Sequence, residues 1–167
     1  IYFSDEPFRL FMKRMGIGER KTKTVRIPKE IRENKELLKR CIRGIFDTDG
    51  TLIFTRKHDY PRITAHFASK QLVIDIEKGL REFGFTLNTK YDYKIYDKRG
   101  FTTYINCINL DGPHNLNRWL ELIGFSNMRI ISRYELWKKK GYLQPKTTLP
   151  QRLKELNLAG GDDFNER

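Results

Sequence analysis

Two carboxylates separated by one residue, Asp47 and Asp49, followed at once by Gly50, are the side chains of this sequence best placed to do chemistry. Upstream, Leu37, Leu38, Cys41, Ile42, Ile45 and Phe46 recur at three- and four-residue intervals between Lys35, Glu36, Lys39, Arg40 and Arg43, which is helical spacing. Downstream, Thr51 to Thr55 is β-branched, aromatic or otherwise apolar, so a strand is expected directly after the helix. The acids therefore sit at a helix terminus. Gly44 costs that helix about 1 kcal/mol relative to alanine, and close approach of a second helix would offset the loss. With Gly44 and Ile45 at such a contact, Asp49 would lie beside its counterpart from the other helix. Two acids so placed form an oxygen-lined cation site.

The rest of the composition narrows the partner. The chain has 167 residues, enough for one domain with a sizeable core, and a net charge of +12 with a pI of about 9.8. Lys and Arg are spread along its whole length, which favours a polyanionic partner, and nucleic acid is the best fit. Cys41 and Cys107 do not make a disulfide scaffold, and three scattered histidines without a Cys-x-x-Cys argue against structural zinc. No apolar run is long enough to span a membrane and no charged-then-apolar leader precedes the first element, so an intracellular location (cytoplasm or organelle) is expected, with no membrane partner.

The elements follow from local pattern. A helix over 5–15, opened by Asp5 and Pro7 and stopped at Gly16-Ile17-Gly18, leads through a basic linker into the extended Ile27-Pro28. Strands are expected over 51–58 and 63–69 with the turn at 59–61. Alternation puts Thr51, Ile53, Thr55 and Lys57 on one face, joined by Arg62, Thr64 and His66 from the second strand. A core helix over 70–83 ends at Gly84, and a second strand pair covers about 87–97 and 101–110, where Lys90, Lys94 and Thr103 are expected on the polar face. A one-residue bulge there would invert the parity. Helices over 113–122, with Trp119 in the core, and 127–140 follow, then a short tail helix over 150–158. The order αββαββα predicts an α+β fold with one antiparallel sheet, helices on one face and the other face open to a DNA major groove. The divisions are residues 1–34 (N-terminal helix and basic linker), 35–140 (the main domain) and 141–167 (a tail with a short helix).

Residues 42–50 resemble the LAGLIDADG motif of homing endonucleases, with Gly44, Asp47, Asp49 and Gly50 on that motif's glycines and aspartates. Arg43 and Thr48 stand where the family usually has alanine. The flanks agree: Ile27-Pro28-Lys29-Glu30-Ile31 upstream, Ser69-Lys70 opening a helix, and Ile123-Gly124-Phe125, so the resemblance spans roughly residues 1–140. It implies an intron- or intein-encoded, site-specific double-strand DNA endonuclease that uses Mg2+ or another divalent cation, with the sheets of two modules forming a saddle over duplex DNA. Residues 1–41 cannot hold another copy of the module, so the expected partner is a second identical chain (a homodimer) or a missing first half. By the same resemblance Asp49 is the metal ligand with the Thr48 carbonyl beside it, and Asp47 is structural. Arg129 stands where the family often has a catalytic lysine, and Ser69 is the nearest match to a water-positioning side chain.

Two other readings compete. Phe46-Asp47-Thr48-Asp49-Gly50-Thr51-Leu52 also resembles the nucleophile motif of haloacid dehalogenase-type phosphohydrolases, with Gly161-Asp162-Asp163 as a late acidic motif. That motif ends a buried parallel strand, which reads as a continuous apolar run, and Lys39 to Gly44 is not one. The other is a non-cutting relative with the same fold, an RNA-splicing maturase or a DNA-binding regulator.

Overall fold

The computed structural model describes residues 10, 14, 23–55, 59–96 and 100–158. Along them run α1 (Lys29–Arg32), α2 (Lys35–Asp49), β1 (Gly50–Thr55), β2 (Tyr60–Phe67), α3 (Lys70–Glu82), β3 (Asn88–Tyr96), β4 (Thr102–Asp111), α4 (Gly112–Leu122), α5 (Met128–Lys140) and α6 (Leu149–Glu155). From α2 to α4 this is the expected αββαββα order in an α+β fold. The four strands make one antiparallel sheet in the order β1-β2-β4-β3. Of the expected helix over 5–15 only Leu10 and Arg14 are described, both helical, while Lys57 and the late acidic residues Asp162 and Asp163 lie outside the described residues. Among the described residues no helix is long and apolar enough to cross a membrane.

α2 begins where Asn34 accepts hydrogen bonds from the Glu36 and Leu37 backbone N–H groups, both at 3.1 Å. Its core face is Leu38, Ile42 and Phe46, and Phe46 packs on Trp119 of α4 with ring centroids 4.7 Å apart. Each fully buried side chain of this size contributes about 1.5–3 kcal/mol. Leu38 and Ile42 of α2 pack against Gly79 of α3, where an added Cβ would lie 2.9 Å from Leu38 Cδ2. Gly50 caps the end of α2 in extended backbone, and a Cβ there would fall 2.6 Å from the Phe46 carbonyl oxygen.

Leu52 and Phe54 of β1, Ile63, Ala65 and Phe67 of β2, and Ile108 and Leu110 of β4 share the sheet face that packs on the helices, and all are buried. Two strand expectations are corrected. β2 starts at Tyr60 and not at residue 63, so Pro61 lies in the strand paired with Phe54. The ladder to β4 begins only at Arg62, so the missing proline N–H removes nothing from it. In the second pair the register shifts between Lys90 and Tyr93, with Asp92 in the left-handed region at φ 51°. This is the bulge that inverts parity. Asp92 is held there by its N–H to Asn106 Oδ1 at 3.0 Å and by Lys70 on its carboxylate at 2.5 Å.

The basic stretch before α1 is docked at its end and does not hang free as a linker. Asp75 of α3 is buried and accepts from Arg26 Nη2 at 2.8 Å and from the Ile27 N–H at 3.1 Å. At the other end of the described chain α6 fits the expected tail helix, and its buried Arg152 donates to Ser132 Oγ of α5 at 3.0 Å.

Candidate functional site

The end of α2 gathers the motif acids and separates their work. Its last turn carries Asp47 and Asp49 and no basic residue. Carboxylates at the negative end of a helix dipole are unfavourable by a few tenths to about 1 kcal/mol each unless something offsets them. Asp47 is offset. Its carboxylate accepts from the Ser126 N–H at 3.0 and 3.1 Å, from the Asn127 N–H at 3.1 Å and from the Ser126 hydroxyl, and its carbonyl accepts from Asn127 Nδ2 at 2.5 Å. Asn127 is the N-cap of α5, so Asp47 locks the end of one helix to the start of another. The turn that presents Ser126 and Asn127 contains Gly124 at φ 73° and is fixed by Trp119 Nε1 donating to the Gly124 carbonyl at 2.9 Å. Asp47 is thus structural, as the resemblance implied.

Asp49 is not offset. It is exposed and has no hydrogen-bond or ion-pair partner among the described residues. Thr48, also exposed, donates its hydroxyl back to the Gly44 and Ile45 carbonyls at 3.2 and 3.0 Å. A lone carboxylate at the carbonyl-bearing end of a helix suits a hard, oxygen-preferring cation, and one copy supplies only part of an octahedral shell. Among the described residues no three His, Cys, Asp or Glu side chains converge where a metal could be held. The described residues therefore offer at this point one free carboxylate and the carbonyls of the last helical turn as oxygen donors.

Arg129, the third residue of the expected constellation, lies in the first turn of α5 with its side chain exposed and its N–H bonded to Asn127 Oδ1 at 2.9 Å. It stands two residues from Asn127 as Asp49 stands two from Asp47, so the fold brings them to one end of the molecule although 80 residues separate them in sequence. Ser69 is placed differently. It is 1% exposed, caps α3 by accepting from the Leu72 N–H at 3.3 Å, and donates to the Val25 carbonyl at 2.5 Å. With its hydroxyl buried and committed to backbone on both sides, it does not position water.

The sheet face away from the helices carries Thr51, Ile53 and Thr55 of β1, Arg62, Thr64 and His66 of β2, Cys107, Asn109 and Asp111 of β4, and Asn88 and Lys90 of β3, as the register requires. His66 and Lys90 are exposed. Several others are engaged within the chain: Thr64 is buried and donates to Asn109 Oδ1 at 2.7 Å, Arg62 pairs with Asp111 at 2.5 Å, and Thr51 Oγ1 accepts from Arg133 Nη1 at 3.1 Å. Beyond the bulge the same face continues as Tyr93 and Ile95 with Thr103 and Ile105. Thr103 stays on the expected face. Lys94 does not: paired with Tyr104, it points to the opposite face and lies over the Tyr96 ring at 4.8 Å. Sequence reasoning missed Tyr93 and Ile95, hidden by the bulge. It also missed Arg133, which ties α5 to Thr51 and to the Leu52 carbonyl and carries no sequence signal beyond being a basic helical residue.

A third surface runs along α2. Leu37 is 45% exposed, Gly44 is exposed, and Cys41 and Ile45 are half-buried, so a stripe at helical spacing is left uncovered by this chain's described residues. A Cβ added at Gly44 would meet nothing within 4 Å. Nothing inside the described fold needs that glycine.

No protein-family model matches the sequence. Replication factor C small subunit of Methanocaldococcus jannaschii is 30% identical over 133 residues, which is 80% of this chain and 7% of that protein. The chain thus spans a small fraction of the relative's length, and the likeness is to one segment of a far longer polypeptide.

Proposed function

We propose that this chain is a site-specific, double-strand DNA endonuclease module of the LAGLIDADG homing type, acting as a pair of motif helices supplied by a second copy or by another segment of a longer protein. The observation that carries the reading is Asp49, an exposed carboxylate without a partner among the described residues, at the end of a helix whose neighbouring stripe around Gly44 those residues leave open. An acid without a partner among the described residues, at a helix end that disfavours it, is placed to take a cation. The antiparallel sheet with one face free of core packing, and the net charge of +12, support duplex DNA as the substrate. The phosphohydrolase reading is disfavoured, since Asp47 lies in a helix, is bonded to Ser126 and Asn127, and follows no parallel strand among the described residues.

Paired α2 ends would bring two Asp49 carboxylates, with the Thr48 carbonyls beside them, between the two strands of a duplex lying along the sheets. Asp49, with the Thr48 carbonyl, would hold a magnesium ion there, and the ion would supply an activated water and charge neutralisation at the scissile phosphate. Asp49 orients that chemistry. Arg129 stabilises the phosphate oxygens through its permanent charge and moves no proton. His66, Lys90 and the open-face residues hold the duplex in register.

The test is magnesium-dependent cutting of duplex libraries by the parent chain and by Gly44→Leu, with sedimentation of both. The parent is expected to cut both strands at selected sites, and the leucine variant to sediment as a smaller species and lose cutting. A parent that binds duplex without magnesium-dependent scission would make this a non-cutting relative, and hydrolysis of small phosphate esters without action on duplex would restore the phosphohydrolase.

A further inference from the structure

The side of α2 that faces neither the core nor the Gly44 stripe carries Lys39, Arg40 and Arg43. Together with Glu36 and with Leu122 and Ile123 at the end of α4, they line a pocket of about 320 Å³. Each arginine has an acid four residues away on its own helix, Glu36 for Arg40 and Asp47 for Arg43, the spacing at which helical charges ordinarily pair. Neither acid bonds its arginine, although the Arg40 charge does help to hold the Glu36 carboxyl below its ordinary range, after the larger effect of Lys39. Glu36 accepts from Lys39 Nζ at 2.8 Å, and Asp47 is committed to Ser126 and Asn127. Neither Arg40 nor Arg43 has a hydrogen bond or ion pair among the described residues. Lys39, by contrast, is held between Glu36 and the Phe83 ring, 5.7 Å from its centroid.

The pocket therefore presents one anchored ammonium and two guanidinium groups that make no hydrogen bond or ion pair among the described residues, along about one turn of helix. Its side chains leave two net positive charges, against a partial charge of about −0.5 from the α4 C-terminus, so the balance favours an anion. Like charges at this spacing cost the helix a few tenths of a kcal/mol each, and an anion between them reverses that sign. Guanidinium forks match the oxygens of phosphate better than a point charge does. We propose that this pocket binds a phosphoryl group on the helical side of the molecule, supplied either by a free phosphate compound or by the backbone of a nucleic acid. Neither Asp49 nor the open sheet face takes part, so the site stands apart from the endonuclease reading.

The experiment titrates the isotope-labelled 167-residue chain with inorganic phosphate at fixed ionic strength, replacing chloride, and follows the Arg40 and Arg43 Nε–H resonances. Both are expected to shift saturably at millimolar phosphate or below, and Arg43→Gln is expected to abolish the saturable shift of Arg40. Glutamine keeps the helix propensity at this exposed position, and an unchanged circular dichroism spectrum checks the fold. Shifts that rise linearly without saturation, or that are unchanged in Arg43→Gln, overturn the proposal. A second arm measures binding of a short DNA duplex against salt for the parent and the Arg40→Gln, Arg43→Gln double variant. If the phosphate is a nucleic-acid backbone group, the slope falls by about two in the double variant. An unchanged slope beside saturable phosphate binding assigns the pocket to a free phosphate compound. A parent that ignores duplex altogether contradicts the endonuclease reading while the phosphate arm still decides the pocket.

Discussion

Asp47 and Asp49 are two residues apart on one helix end and have opposite fates. Asp47 is spent on the start of α5, where it satisfies N–H groups that the helix itself leaves open. Replacing it with alanine should cost about 1–2 kcal/mol of stability in urea unfolding, the range of a lost helix cap. Asp49→Asn should leave stability unchanged or raise it by about 0.3–1 kcal/mol, because it removes a charge from the negative end of the dipole. Equal losses in the two variants would contradict this division of work. The motif's spacing made both acids legible in the sequence. Ser69 was not, because its role depends on Val25, 44 residues earlier, arriving to accept its proton. Asp75 was hidden in the same way: among the charged positions of α3 only the arrival of Arg26 and Ile27 marks it as buried.

At the scale of elements, apolar periodicity located α2 to α5 and the tail helix closely, since burial of one helical face decides both sequence pattern and packing. Strand faces were legible only up to the bulge. Its position is set by Asn106 and Lys70 gripping Asp92 from other elements, which no local pattern reveals. The consequence is testable, because Lys90 and Lys94 now lie on opposite faces. Lys90→Ala should weaken duplex binding evenly across sequences and flatten the salt slope by about one, while Lys94→Ala should leave the slope close to the parent's. A binding titration in which the two variants behave alike would put the duplex elsewhere. Close helix approach was also assigned to one glycine only. Within the chain Gly79 makes room for Leu38 and Ile42 of α2, whereas a Cβ at Gly44 would meet nothing within 4 Å in the described fold.

Three features stand out in the whole molecule: a sheet with one face free of core packing, a helix layer with one stripe uncovered by the described residues, and the exposed Asp49 carboxylate, which has no partner among the described residues. These features are independent in sequence, yet the fold brings Asp49, Arg129 and the start of β1 to one end. The most direct measurement is magnesium-dependent scission of a duplex library by the parent chain and by Asp49→Asn, compared at equal fractions of bound DNA. The variant is expected to bind as tightly or more tightly, since a repulsion between carboxylate and phosphate is relieved, while cutting falls at least about a hundredfold. Robust cutting by Asp49→Asn would contradict this expectation.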